Sequence, residues 1–467
     1  MLRGAKKEMG IQQLYDISPA WVQNLMCSVK GMKIMRERFN EDFFYNLEEL
    51  KNSQYWTADC INSYKEEKLH FILEYAYREC PFYKHFFDSH HVSPDDFKKL
   101  EDIEKFPLLT KDMVRDNYKG MIAQSYPKEK LIPSHTSGSS GKALDFFYTK
   151  EFVPYLWAIW WRFRERTGVN FGEKHLNCTG KLVVPIGVKK PPYWRVNKPM
   201  NQWLVNMQHI TVEKIPYIVE MINKEKFVYF SGYPSIIYSI AQCIKESGLH
   251  VTASPKYIFT GAEKMYENQK QVIEEVFPGV TCTDHYGMSE GVCNASKCKH
   301  GVYHEDYEFG LLECEKKHWI SKTEYEGEIL GTTFKNFGMP LIRYKIGDSA
   351  VWDTKPCSCG LHSQVIKDVQ GRSEDNVITP EGTRIQRFDY LFKDTKDIKE
   401  CQVVQRELGS VVFRIVRRDS YSMATEKLIK EEVKKIISPT IECHFEYVDE
   451  IERTTSGKFK AVVSEMK

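Results

Sequence analysis

The sequence predicts an α/β protein, with a large N-terminal domain of mixed sheets and helices and a small α+β C-terminal domain. Three observations predict it. At 467 residues the chain exceeds what one hydrophobic core usually holds, so about two or three structural units are expected. From Phe227 onward short apolar runs alternate with amphipathic segments, the pattern of strand and helix repeats. After Asp348 a loop containing Pro, Cys and Gly leads into Gly371-Arg-Ser-Glu-Asp375, beyond which charge is dense and the elements are shorter. A boundary is therefore expected near residue 373, giving domains 1–372 and 373–467.

The elements follow in order. Residues 1–110 read as helical: Leu69, Ile72, Leu73, Ala76 and Tyr77 share one face of a helix that Pro81 would stop. His135-Thr-Ser-Gly-Ser-Ser-Gly-Lys142 then crowds hydroxyls and glycines ahead of one lysine, with an extended apolar run, Ala143 to Tyr148, behind it. Gly138 and Gly141 would let a backbone approach a polyphosphate, while Ser137, Ser139, Ser140 and Lys142 offer hydroxyls and a cation. Only two residues separate those glycines and Ala143 follows the lysine, which excludes a Walker A loop. By itself the segment also reads as a solvated turn.

Strands are expected at Phe227 to Phe230, Tyr257 to Thr260 and Val280 to His285, with helices at Pro234 to Ser247 and Glu267 to Phe277, forming a parallel unit. Ligands of such sheets sit beyond the carboxyl ends of strands, where Gly261-Ala-Glu263 and Tyr286-Gly-Met-Ser-Glu290 fall. In the C-terminal domain, strands at Val411 to Arg417 and Cys443 to Val448 flank a helix at Ala424 to Ile437.

Lys plus Arg, 66, nearly balances Asp plus Glu, 64, so no global field favours nucleic acid or an anionic membrane. No segment has the length and apolarity of a membrane span, and the basic start, Met1 to Lys7, has no apolar run behind it, so a cytoplasmic protein is expected. Thirteen cysteines, an odd number, point to reduced thiols, some on a metal, rather than a disulfide framework.

Four further segments join the Ser/Gly loop: Tyr286-Gly-Met-Ser-Glu290, Gly327-Glu-Ile-Leu-Gly-Thr-Thr333, Arg343-Tyr-Lys-Ile-Gly-Asp348 and Thr455-Ser-Gly-Lys458. In order and spacing the five resemble the motifs of the adenylate-forming superfamily of acyl-CoA synthetases, luciferases and peptide-synthetase adenylation domains. The match is to its phenylacetate-CoA ligase-like branch, and the helical N-terminus is similar to the capsule-biosynthesis, CapK-type members. The resemblance covers essentially the whole chain. It implies the acyl-adenylate synthetase fold with a mobile C-terminal lid, activation of a small carboxylic acid by ATP and Mg²⁺ with release of pyrophosphate, and transfer of the acyl group to coenzyme A or another acceptor.

Residue by residue, the resemblance implies that Ser137, Gly138, Ser139, Ser140, Gly141 and Lys142 hold the β- and γ-phosphates. Ser289 lies near the α-phosphate and Glu290 holds Mg²⁺. Tyr286 and Gly287 pack on the adenine, with Gly261, Ala262 and Glu263 along its edge. Asp348 accepts both ribose hydroxyls, which an ionised carboxylate can do with two oxygens. Arg372 contacts phosphate and ribose, Glu374 takes the hinge position where Asp or Lys is commoner, and Lys458 supplies the cation for adenylation. Gly382 and Arg384 sit where the lid would face the second half-reaction. Taken singly, Asp348 also reads as a turn residue, Tyr286 as a core aromatic, Glu290 as a helix N-terminal carboxylate and Lys458 as an exposed turn lysine.

Cys298, His304, Cys357 and Cys359 form a Cys-x5-His pair and a Cys-x-Cys pair, donors that suit a closed, structural zinc site. Similar sets in phenylacetate-ligase-like proteins support zinc over free buried thiols with a solvent-facing His304; Cys293 and His300 are reserve ligands. No HExxH favours a zinc hydrolase. Candidate pocket walls are Tyr233, Pro234 and Ser235, with His285 positioning a carboxylate or serving as a structural histidine. The aromatic stretch Tyr155 to Trp161 is a further candidate wall that reads more strongly as core, and Pro191 to Arg195 with Trp203 reads as an aromatic loop. Competing readings are adenylyl transfer to a cofactor, acylation of a capsular precursor, and a non-catalytic nucleotide-binding scaffold; a homodimer is compatible with the sequence.

Overall fold

The computed structural model of the protein describes residues 11–466 except 136–143, 179, 373–376, 381–383, 386–387, 389–396, 439 and 454–458, with backbone alone at 371–372, 384–385 and 435–436. The expected Ser/Gly loop, Glu374, Gly382 and Lys458 therefore lie outside the described residues, as does the Arg372 side chain.

The N-terminal region is helical: residues 11–17, α1 (Ala20–Arg38), α2 (Glu41–Ser53), α3 (Ala58–Glu79), α4 (Pro81–Ser89) and α5 (Lys111–Met121). Asn40, Thr57 and Thr110 cap α2, α3 and α5 by accepting from the backbone N–H groups of Phe43, Cys60 and Met113. Pro81 acts as anticipated: α3 stops before it, Cys80 is extended, and the proline opens α4, where a missing N–H costs nothing. Leu69, Ile72, Leu73 and Ala76 are fully buried. Tyr77 is only partly buried, because its hydroxyl reaches out to Asp88 Oδ1 at 2.7 Å.

A hairpin, β1 (Leu131–His135) and β2 (Asp145–Thr149), brackets the Ser/Gly segment in antiparallel register, His135 opposite Asp145. Then come α6 (Phe152–Arg166), β3 (His175–Cys178), β4 (Arg195–Asn197), β5 (Gln202–Val205), α7 (Ile215–Glu225), β6 (Tyr229–Gly232), α8 (Pro234–Glu246), β7 (Tyr257–Gly261), α9 (Glu267–Val276) and β8 (Thr281–Gly287). The antiparallel strands β9 (Asn294–Lys297), β10 (Tyr303–Glu305), β11 (Gly310–Trp319), β12 (Glu324–Thr333), β13 (Tyr344–Asp353) and β14 (Val365–Arg372) complete a sheet of order β11-β12-β13-β14-β10-β9-β8-β7-β6-β3-β5-β4. The parallel stretch β5, β3, β6, β7 and β8 sits toward one end. Crossover helices α8 and α9 press Ile236, Ile237, Ile240 and Ile273 onto it, all fully buried.

The segment expected as an aromatic loop differs. Arg195–Asn197 and Gln202–Val205 are strands, and Tyr193 and Arg195 are buried. Burial of the Arg195 guanidinium is allowed because Gln23 Oε1 and the carbonyls of Pro192 and Trp194 accept its N–H groups. Tyr155 and Trp161 of α6 are core, as expected.

Beyond β15 (Val377–Ile378) and β16 (Arg384–Ile385), a separate sheet has the order β19-β18-β17-β20, from β17 (Ile398–Gln405), β18 (Ser410–Arg417), β19 (Glu442–Tyr447) and β20 (Val462–Ser464). Helix α10 (Met423–Ile436) covers it through Ile429 and Val433.

Candidate functional site

Three neighbouring parallel strands, β6, β7 and β8, each end in glycine: Gly232, Gly261 and Gly287. The segments that follow, Tyr233 to Ser235 at the start of α8, Ala262 to Glu263 and Met288 to Glu290, therefore emerge side by side at the carboxyl edge of the sheet, the usual ligand position of such folds. The close packing requires the glycines. A Cβ on Gly232 would lie 1.9 Å from the Cys178 carbonyl oxygen, and one on Gly261 would lie 2.8 Å from the His285 ring. Ala262 adopts φ +66°, a left-handed conformation uncommon for alanine, which turns the chain so that Glu263 follows directly.

Glu263 joins two loops and the C-terminal domain. Its Oε2 accepts from Ser235 N at 3.2 Å, and its Oε1 accepts from Phe459 N at 2.6 Å, the residue immediately after Lys458. Burial pushes its carboxyl above the ordinary glutamate range, against the hydrogen bonds from Phe459 and Ser235. Arg418 pairs with Glu246 of α8 nearby, a second bond between the two sheets' domains.

On the other side of β8, Tyr286 donates its hydroxyl to Asp348 Oδ2 at 2.7 Å. Burial, and then the Asp348 charge, hold the Tyr286 phenol well above its usual range, so it stays a neutral donor. Asp348 stands opposite Arg372 in the register of β13 and β14. Glu290 is buried and accepts from the Tyr344 hydroxyl at 3.2 Å, while the Ser289 carbonyl accepts from the Tyr148 hydroxyl. His285 packs its ring 4.8 Å from Trp160, and burial lowers its pKa, so the imidazole is neutral near pH 7.

The structure thus brings Ser235, Glu263, Tyr286, Glu290 and Asp348 to one edge. Sequence reasoning missed Tyr148, Tyr344 and Phe459. Tyr344 lies inside the Arg343 to Asp348 segment and Phe459 adjoins Lys458, so proximity to the motifs was the available signal.

A second cluster gathers Cys298, His304, Cys357 and Cys359, whose donor atoms all lie within 4.8 Å of one another. Cys298 Sγ is 3.8 Å from Cys357 Sγ, and Cys359 Sγ is 3.2 Å from His304 Nε2. Backbone N–H groups of His300 and Leu361 point at Cys298 and Cys359, each at 3.4 Å, and His304 Nδ1 faces the Ser363 carbonyl at the same distance. His304 is buried, not solvent-facing. The reserve ligands stand apart: Cys293 contacts Met288, and His300 Nε2 faces Ser358 Oγ at 3.4 Å.

Arg162 of α6 bridges Asp306 and Glu308 at 2.6 Å each, all three almost fully buried.

The CapK C-terminal domain family matches residues 377–465. Protein CapK of Staphylococcus aureus is 28% identical over 466 residues, 98% of this chain and all of that protein. The phenylacetate-coenzyme A ligase of Aromatoleum evansii is 27% identical, over 87% of this chain and 95% of its own. Among solved structures, 2-hydroxyisobutyryl-CoA ligase in the postadenylation state superposes with a TM-score of 0.69 at 16% identity, over 88% of this chain and 91% of that one, which is a likeness of fold.

Proposed function

We propose that this chain, which is similar to CapK and to phenylacetate-coenzyme A ligases, activates a carboxylic acid with ATP and passes the acyl group to coenzyme A or another acceptor. In the first step a carboxylate oxygen attacks the α-phosphorus, the bond to the β-phosphate oxygen breaks, and pyrophosphate leaves. In the second a thiolate adds to the acyl carbonyl and AMP departs with the bonding pair. Neither step requires covalent chemistry from the protein, so positioning and charge neutralisation dominate.

The observation that carries this reading is the bond from Phe459 N to Glu263, which brings the residue after Lys458 to the edge where β6, β7 and β8 end. An ammonium there would neutralise charge as the α-phosphate reacts. Asp348, which accepts from the Tyr286 hydroxyl, would accept the ribose hydroxyls, and the Tyr286 ring would pack on the adenine. Ser137 to Lys142, between the paired strands of the hairpin, would clamp the outer phosphates, with Arg372 as a further cation. Glu290 would hold Mg²⁺, which suits a carboxylate beside phosphate oxygens. Tyr233, Pro234, Ser235 and His285 would wall the acid pocket; a neutral His285 can hydrogen-bond a carboxylate without neutralising it. Glu374 would serve as the hinge between domains 1–372 and 373–467.

Cys298, His304, Cys357 and Cys359 suit zinc: three thiols and an imidazole, at mutual distances near those of a tetrahedral shell, fill every position and leave none for a substrate. Zinc would there tie the β9–β10 turn to the loop before β14 and take no part in the reaction.

The test is acid-dependent exchange of labelled pyrophosphate into ATP over a panel of acids that includes phenylacetate. Exchange is the expected result; a folded, ATP-binding protein that gives none with any acid overturns the reading. Mass spectrometry of the products then distinguishes an acyl thioester and AMP from an AMP-substituted acceptor.

A further inference from the structure

The edge strand β4 is covered by the N-terminal helical segments. Asn24 Oδ1 accepts from Val196 N at 2.9 Å, Ser28 Oγ accepts from Lys198 N at 3.2 Å, and Gly31 lies so close that a Cβ would meet Asn197. Residues 11–17 fold back onto this unit, the Tyr15 hydroxyl donating to the Val183 carbonyl at 2.5 Å and the Tyr15 carbonyl accepting from Gln23 Nε2 at 2.7 Å. Helix α1 is thus polar and small in the part turned to β4. Its outward face is apolar and open to solvent.

Trp21, Leu25, Val29 and Met32 follow one another at helical spacing along that outward face, with Trp21 70% exposed. Leu14 and Ile17, the latter 82% exposed, extend the apolar surface, and Leu182 and Ile186 of the adjoining loop are also exposed. An apolar face that stays exposed among the described residues marks an interaction surface.

Charge chooses among occupants. Residues 11–38 and 181–198 carry nine lysines and arginines against two carboxylates, Asp16 and Glu37, in a chain whose formal net charge is +2. Lys30, Lys33, Arg36, Lys181, Lys189 and Lys190 are all exposed. Lys181 lies within electrostatic reach of Arg38 and Lys30, which places these three cations near one another. A second copy seated on this surface would oppose like charges, whereas anionic headgroups would neutralise them while the acyl region takes the apolar side chains.

We propose that this N-terminal face, α1 with residues 11–17 and the 181–190 loop, docks the protein on an anionic lipid bilayer surface. Trp21, Leu25, Val29 and Ile17 enter the headgroup and acyl boundary, and the lysines lie along the phosphate plane. The helix lies on the membrane and does not cross it; no helix among the described residues is long and apolar enough to do so. The near balance of charge over the whole chain conceals this local excess.

The experiment is co-sedimentation of the full chain with vesicles of phosphatidylcholine alone or with about 30% phosphatidylglycerol, at about 0.1 and about 0.5 M sodium chloride. Binding is expected to the anionic vesicles, at least about tenfold weaker to neutral ones, and weakened by salt. Trp21→Glu with Leu25→Glu should lose at least about tenfold in binding with an unchanged thermal midpoint, since both side chains are exposed. Lys189→Glu with Lys190→Glu reads the electrostatic arm independently, should the helix variant unfold. No binding to anionic vesicles, or undiminished binding by the folded variants, overturns the proposal. So does a wild-type dimer in solution that Leu25→Glu makes monomeric, which would assign the face to a second copy.

Discussion

The backbone N–H of Phe459 donates to Glu263 Oε1 at 2.6 Å, so a carboxylate at the end of β7 holds the chain one residue past Lys458. Because Glu263 also accepts from Ser235 N, one side chain links the C-terminal domain, the β7 turn and the start of α8.

Glu263→Ala is expected to lower acid-dependent pyrophosphate exchange by about tenfold to a hundredfold, the loss of hydrogen bonds to a charged group at about 1.5–3 kcal/mol. Glu263→Gln, which keeps an acceptor, should lose less. The folded pKa is raised, so the carboxyl protonates above the ordinary glutamate range of about 4.5 as pH falls. The wild-type rate should therefore drop on an acid limb above that range, and Glu263→Gln should remove the limb. Equal pH profiles for the two would show that Glu263 does not titrate in turnover.

Tyr286→Phe removes one donor to Asp348 while leaving the ring. The expected outcome is a rise of about threefold to tenfold in KM for ATP with little change in kcat, because the bond orients the ribose acceptor without touching the reacting atoms. Asp348→Ala should cost about a hundredfold or more in kcat/KM. Steady-state kinetics with saturating acid separates the two.

One zinc per chain is expected from elemental analysis of protein purified without chelator. Cys357→Ser with Cys359→Ser should lose the metal and lower the thermal midpoint by about 5 °C or more, since a closed site stabilises the folded state directly. ATP binding by the folded variant should survive. Wild-type protein without zinc, and equally stable with or without it added, would remove the metal from the account.

His175 is buried against Tyr229, with ring centroids 4.6 Å apart, and burial lowers its pKa from 6.5 to about 3. A depressed folded pKa means the unfolded chain binds the extra proton. Stability present above pH 6.5 is therefore lost as pH falls toward 3, on the order of 2 kcal/mol by pH 5. Urea unfolding at pH 7.5 and 5 should show this loss, reduced in His175→Gln.

Arg162→Met would strand Asp306 and Glu308 without their cation in an almost fully buried setting. A destabilisation of about 3–5 kcal/mol is expected from chemical denaturation, although methionine fits the volume, because uncompensated buried charge outweighs packing.

The α/β alternation from Phe227 to His285 was legible because crossover strands and helices each bury an apolar face whose period shows in the residues themselves; β6 to β8 and α8 to α9 lie within two residues of where periodicity puts them. The C-terminal strand, helix and strand were legible for the same reason. The 191–203 strands were not, because Pro191, Pro192 and Asn201 read as loop, and what makes β4 a strand is pairing with β5 and cover from α1.

For the site, the sequence by itself determined the inventory: which carboxylates, tyrosines, thiols and glycines occur, and in what order along the chain. Tertiary structure alone decided partnership. Tyr286 and Asp348 are 62 residues apart yet share a hydrogen bond, Glu263 reaches 196 residues to Phe459, and Cys298 finds Cys357 across 59. Order along the chain records which groups exist, but a hydrogen bond or a ligand shell depends on distances of a few ångströms. Those are set by sheet register and by the packing of one domain on another, and local periodicity carries neither.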